Sequence, residues 1–580
     1  WVERDAAREG ERGELGPVSL GSGIETVRRR KAMFGGGRFY SPCSNVRSNG
    51  MSSVTEEKKP FYHMLNLKIF LPAATPLVVL IILGFIYKDE LSGPIGAVLN
   101  WTLENFGWFY TMGSTFLLAV TLWACFSKYG KIRLGGPDAK PEMSFMTWFA
   151  ISLTSGIAIG ICFFGVAEPM THYLSPPVFS GLEGKSLEAG EQALRRTYFH
   201  WTFHTYGCYT SVSLAIALAF WNSKRPFKVS SGLYGLVGEK SNGSLGAVCD
   251  CLGLFAIVGG VCTSLGFGVL QIGGGLEYIW GIHITPSVYA IVIGIMVVIY
   301  TFSAYTGLEK GITIISNWNM RLYWYCLIFL VLAGPTVHML ESLSTGVGDY
   351  LQNLVGMSLY SEPMYKSGWV GNWSDFYWAW WLSFAPLVGL FLLRLGKGRT
   401  VREYVLVNLI APSTFGFVWF AFFGSSAIYY DHFLNAGISD EIAKFGNQVS
   451  IYALFDQMPL ASVNKVVGIL IVAISFITIA HAMTSTTAAM TTKGFGESGG
   501  TLEAPGVMKI FWGVLMGVAA WLALVAGGTQ GLQTTAIICG LPILVMQIAM
   551  MFGMIKWFRN QKDFDKVSKF TVDGEPIPGN

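Results

Sequence analysis

The chain has 580 residues, of which 52% are hydrophobic and 13% charged, and its formal net charge is +4. Soluble proteins carry about 25% charged residues, so this composition excludes an ordinary soluble domain and indicates a polytopic membrane protein. No basic cluster alternates with exposed aromatics, which gives nucleic-acid binding no support.

Residues 1–50 are polar and rich in Gly, Ser and Arg, with a run Arg28-Arg29-Arg30-Lys31. Glu3, Asp5, Glu9, Glu11 and Glu14 argue against a transit peptide, which is poor in acids. Met51 reads as a natural start, which leaves residues 1–50 as a disordered extension or translated upstream sequence. Residues 51–66 then form a short cytoplasmic segment. Apolar runs of about 20 residues predict twelve spans. They lie near 67–87, 105–127, 146–167, 200–222, 249–279, 285–305, 318–341, 374–395, 404–429, 464–492, 507–529 and 532–557. An amphipathic stretch near 346–362 is expected on the membrane surface, and 558–580 is a short tail.

Loop charges set the orientation. Lys128, Lys131, Arg133 and Lys140 follow the second span, Lys224, Arg225, Lys228 and Lys240 the fourth, and Arg394, Lys397, Arg399 and Arg402 the eighth. By the positive-inside rule both termini are cytoplasmic, in a multi-pass protein of the cell membrane surrounded by lipid. The nine cysteines form neither a disulfide framework nor a zinc motif.

The third span contains Ser155-Gly156-Ile157-Ala158-Ile159-Gly160. Such small residues serve either as a helix-packing surface or as a broken helix. In a broken helix, freed amides hold a carboxylate and freed carbonyls a cation. Glu168-Pro169 follows, read either as the end of that helix or as part of a gate. The fourth span opens FHWTFHTYGCY (199–209), and Trp201, Tyr206 and Tyr209 cover an arc of about 140° on a helix. His200 and His204 have spacing for a metal or a proton relay, but no acidic partner lies close in sequence, and packing is the commoner role. In the fifth span, Thr263 and Ser264 offer weak hydroxyl ligands.

The eighth span begins WSDFYWAWWLSF (373–384). At about 100° per residue, Trp373, Tyr377, Trp380 and Phe384 share a stripe with Trp381 at its edge. An interfacial aromatic belt is one reading. The other is a ring-lined pocket for a methylated onium cation, held by about 2 kcal/mol or more per desolvated cation–π contact. Trp380 and Trp381 lie several residues inside the span, which favours the pocket. Thr484-Ser485 in the tenth span either back-bond to their own helix or present two hard oxygens to an alkali cation. Arg394, Arg399, Arg402 and Glu403 form cytoplasmic gating pairs or merely obey the positive-inside rule.

At these residues the chain resembles the betaine/choline/carnitine transporter family over about residues 60–560. The specific marks are FHWTFHTYGCY, FFGVAEP (163–169), SLGFGVLQIGGG (264–275), YWAWWLSFAPLVGLFLLRLGKGRTVRE (377–403) and Thr484-Ser485. The resemblance implies an all-α integral membrane protein. Its twelve transmembrane helices form a leucine-transporter-like 5+5 inverted repeat (about 146–341 and 374–557) preceded by two extra helices. It also implies a homotrimer and no enzymatic activity. The family's aromatic box falls on Trp201, Tyr206, Tyr209 and Trp381, with Trp378, Trp380 and Phe384 nearby. Its sodium site falls on backbone near Thr154 and Ile157 and on the hydroxyls of Thr484 and Ser485. Tyr206 and Phe384 occupy positions often held by Trp, and Ala158 stands at the centre of the family's Gly-x-Gly-x-Gly.

Choline would need a buried counter-ion, and the third-span motif ends in Gly160 rather than Asp. A zwitterion such as glycine betaine or dimethylsulfoniopropionate suits rings plus the amides near Gly156, Ala158 and Gly160. Between Lys240 and Glu309 there is no Lys or Arg. The fixed cation that replaces sodium in the family's exchangers is therefore absent from the fifth span. Sodium symport by alternating access is the expectation, with a sodium-independent or proton-coupled carnitine- or choline-type transporter as the alternative.

Overall fold

Inside a bilayer the backbone can satisfy its polar groups only within itself, and the described residues are accordingly mostly helical. The structure, a computed structural model, describes residues 61–87, 90–155, 159–307 and 309–559, together with a two-residue antiparallel pair, Thr571–Val572 with Glu575–Pro576. The expected N-terminal extension lies outside the described residues.

In chain order the main helices are α1 (Leu67–Ile86), α2 (Ser92–Phe126), α3 (Phe145–Ser155), α4 (Ile159–Leu174), α5 (Leu187–Trp201) and α6 (Phe203–Ala217). There follow α7 (Ser244–Trp280), α8 (Pro286–Thr306), α9 (Glu309–Ala333) and α10 (Thr336–Ser358). The second half holds α11 (Phe376–Leu395), α12 (Ala411–Leu434), α13 (Ala461–Met490) and α14 (Gly506–Arg559). Eight described helices are long and apolar enough to cross a membrane: α1, α2, α7, α8, α13, α14, and α11 and α12 with their leading turns. The pair α9 and α10, bent by 112°, makes a ninth if taken as one span.

This count differs from the twelve spans expected, for identifiable reasons. The third expected span covers α3 and α4, of 11 and 16 residues, on either side of residues 156–158, which lie outside the described residues. The fourth is divided into α5 and α6, of 15 residues each, by Thr202, whose φ of −124° and ψ of −114° belong to no helix. At 54 residues, α14 would be about 80 Å long, more than twice the roughly 30 Å of bilayer hydrocarbon. Gly528, at φ 54° and ψ −136°, breaks it where the eleventh and twelfth expected spans adjoin. The stretch expected on the surface, 346–362, falls largely within α10, a longer helix than the amphipathic pattern alone outlines.

Helix α11 is central. In its most apolar stretch 89% of residues are buried, against 22% for α1 and 28% for α8, whose flanks face outward. It packs on α6, α7 and α14. A side chain at Gly540 of α14 would fall 2.6 Å from the Ala379 carbonyl oxygen, so only glycine allows this backbone approach. Helix α5 starts at a true cap, with Ser186 Oγ accepting from the Ala189 amide at 3.1 Å. Its far end delivers Trp201 to the face of α11.

Candidate functional site

Trp201, the last residue of α5, stands edge-on to Trp381 of α11, with ring centroids 4.8 Å apart. Tyr209 of α6 approaches the same indole at 6.4 Å, and Tyr206 lies 6.3 Å from Tyr209. Trp380 stacks on Trp381 at 4.9 Å, and Tyr377 meets Trp201 at 5.3 Å. All six rings are buried. They converge inside the protein and do not form a lipid-facing belt. Gly160, near the start of α4, borders them: a Cβ there would lie 2.7 Å from Trp201 and 2.9 Å from Trp380.

Other residues expected nearby are placed elsewhere. Trp378 turns away from Trp381 and packs on His204 at 5.0 Å and Phe199 at 5.1 Å. Phe384 lies against Gly260 of α7 and makes no ring contact with the cluster among the described residues. Trp373 packs on His172, 4.5 Å away, and meets Tyr377 of the cluster at 6.2 Å. The expected stripe therefore runs through Trp373, Tyr377 and Trp380, and Phe384 falls outside it. Thr154 falls in the last turn of α3, while Gly156, Ile157 and Ala158 lie outside the described residues.

Glu168 was not expected as part of this site. Pro169 does not end its helix, since α4 runs on to Leu174. One Glu168 oxygen, Oε2, accepts from the Trp201 indole N–H at 2.6 Å and the Tyr377 hydroxyl at 2.5 Å. The other, Oε1, is 2.6 Å from His200 Nδ1 and 3.4 Å from His172 Nε2. His200 also meets Ser374 Oγ at 2.9 Å, and its carbonyl accepts from the Trp381 indole at 3.1 Å. An acidic partner for His200 therefore exists, 32 residues earlier in the chain. It also provides a buried carboxylate near the third span, although Gly160 stands where an Asp counter-ion would. The ligand atoms of Glu168, His172 and His200 lie within 4.8 Å of one another. A cation entering there would compete with the donors that Glu168 already serves.

On α13 the hydroxyls of Thr484 and Thr487 are fully buried and make no hydrogen bond among the described residues. Burying a hydroxyl without a partner is costly, so these oxygens suit an outside partner such as an alkali cation. Ser485 is half-buried. Thr263 of α7 instead directs its hydroxyl to the Gly259 and Leu532 carbonyls at 3.0 and 3.1 Å, while Ser264 is buried beside it.

The loop after α11 holds its charges on backbone. Arg399 donates to the Met143 carbonyl at 2.7 Å, Arg402 to that of Cys125 at 3.1 Å, and Arg394 to that of Gly500 at 3.2 Å. Glu403 closes a capping box with Thr400. Among the described residues none of these arginines pairs with Glu403, so the expected gating ion pairs are replaced by helix and loop staples.

A family model described as "BCCT, betaine/carnitine/choline family transporter" matches residues 68–563. The "Glycine betaine transporter OpuD" of Bacillus subtilis (strain 168) is 36% identical over 493 residues, 84% of this chain and 94% of that protein. The "Probable glycine betaine transporter" of Desulfitobacterium hafniense (strain Y51) is 33% identical over 498 residues, 85% of this chain and 98% of its own length. The "Ectoine/hydroxyectoine transporter" of Virgibacillus pantothenticus is 33% identical over 487 residues, 84% of this chain and 95% of its own. With this match over most of its length and helices apolar enough to cross a membrane many times, the chain is a multi-pass membrane transporter, not an enzyme, and it belongs to the betaine/carnitine/choline transporter family.

Proposed function

We propose that the protein imports a zwitterionic onium osmolyte of the glycine betaine or dimethylsulfoniopropionate type, by sodium symport with alternating access. The observation that carries this is the meeting of Trp201, Tyr209 and Trp381 from separate helices in a buried site. Ring faces attract a desolvated methylated cation. The Trp380 indole N–H has no partner among the described residues, and a substrate carboxylate can take it. Amides of the third span near Gly156, Ala158 and Gly160 would take the rest. Trp201 and Trp381 touch, so a headgroup enters only as they part.

The unpartnered Thr484 and Thr487 hydroxyls support sodium as the coupled ion, with Ser485 one residue on. Thr263 and Ser264 stand outside this set, since the Thr263 proton is already directed to carbonyls. Twelve crossings in two five-helix repeats account for the α5–α6 pair parted at Thr202 and for the break in α14 at Gly528. The loop charges support cytoplasmic termini, and the family likeness supports a homotrimer in the cell membrane.

A second reading has an observation of its own. The buried cluster of Glu168, His172 and His200 beside the rings favours proton coupling, or a carnitine- or choline-type cationic substrate. Uptake of labelled betaine, dimethylsulfoniopropionate, carnitine and choline into proteoliposomes separates the two. Betaine or dimethylsulfoniopropionate uptake driven by a sodium gradient is expected. Uptake of choline or carnitine that follows a proton gradient and ignores sodium would sink the first reading.

A further inference from the structure

Trp201 and Tyr377 each carry one polar handle, and both handles end on a single oxygen, Glu168 Oε2, at 2.6 and 2.5 Å. An indole N–H can only donate, so this oxygen is an acceptor shared by the two rings. Donation to a carboxylate pushes electron density back into the donor ring and makes its π face more negative. The carboxylate's own field acts across the width of one ring in surroundings that screen it weakly. Its remaining neighbours are the imidazoles of His200 and His172, and among the described residues no Lys or Arg pairs with it.

We propose that Glu168 is a specificity-determining residue of the ring pocket, one that makes the pocket select a positively charged trimethyl headgroup over a neutral one of the same shape. This rests on the ring-pocket reading given above. Glu168 acts through Trp201 and Tyr377, so it is a positioning and polarising residue. The pocket's discrimination by charge is then set by a side chain that need not touch the substrate. A purely structural role would hold the rings in place equally for either headgroup.

The test compares glycine betaine with 3,3-dimethylbutanoate, which keeps the carboxylate and three methyls but replaces the cationic nitrogen with carbon. Binding of each to the purified full chain in lipid nanodiscs is measured by calorimetry, giving a ratio of dissociation constants. Glu168→Gln preserves length and an acceptor oxygen but removes the charge. It is expected to lower the ratio about tenfold, through weaker betaine binding, with 3,3-dimethylbutanoate binding little changed. An unchanged ratio, or equal weakening of both ligands, overturns the proposal. Should that variant fail to fold, Tyr377→Phe removes one donor while keeping the carboxylate. It is expected to lower the ratio about threefold, and an unchanged ratio there also overturns the proposal. The underlying pocket fails separately. If wild type does not prefer betaine, or Trp381→Ala leaves betaine binding intact, the ring pocket itself is wrong and this inference falls with it.

Discussion

The Trp201 and Trp381 indoles stand at 69° to each other with centroids 4.8 Å apart, an edge of one ring against the face of the next. Their contact joins the end of α5 to the second turn of α11. If the onium headgroup lodges between them, Trp381→Ala removes about 2 kcal/mol of cation–π attraction, or roughly thirtyfold in affinity. Calorimetry with glycine betaine checks this, and affinity within threefold of wild type would place the headgroup elsewhere.

Trp378, three residues before Trp381, is the internal control. It packs on Phe199 and His204 and touches neither Trp201 nor Tyr209. Trp378→Phe leaves a partial cavity in a buried layer, at an expected cost of about 1–3 kcal/mol of stability. A lowered thermal midpoint with unchanged betaine affinity is the expected result. Loss of affinity without loss of stability would return Trp378 to the binding site.

Two glycines separate site shape from helix packing. Gly160→Ala drives a methyl group against the Trp201 and Trp380 rings, and Gly540→Ala drives one against the Ala379 backbone. Rings can rotate where backbone cannot. The first change is expected to weaken betaine binding about tenfold or more with a modest shift in thermal midpoint. The second is expected to destabilise the α11–α14 pair by several kcal/mol. Thermal unfolding and calorimetry on both variants make the comparison.

Thr484→Val exchanges a buried, unpartnered hydroxyl for a methyl of similar size. Stability is expected to hold or rise, because no hydrogen bond is broken among the described residues. If the oxygen ligates sodium, the sodium concentration for half-maximal uptake rises about tenfold, one ligand's share of roughly 1.4 kcal/mol. An unaltered sodium dependence would remove Thr484 from the ion site.

The helical character and most span positions were legible because apolar runs of bilayer length have few other uses. The break at Thr202 was not. Thr202 looks like any helix residue in FHWTFHTYGCY, yet it separates α5 from α6. Rotation about the axis of α11 was equally hidden, since a helix buried on nearly every side has no polar face to orient it. The helical period puts Phe384 on the stripe, while the rings that meet Trp201 are those of Tyr377, Trp380 and Trp381. The tie between Glu168 and His200 was invisible for a different reason. They are 32 residues apart with a loop between, and only the packing of α4 on α5 brings them together.

The interruption at Thr202 divides ownership of the ring wall. Trp201 ends one rod and is moored to α4 through Glu168, whereas Tyr206 and Tyr209 ride on the next rod, which leans on α11. The same crease that shortens the fourth span gives the two halves of the wall separate moorings, one on α4 and the other on α11.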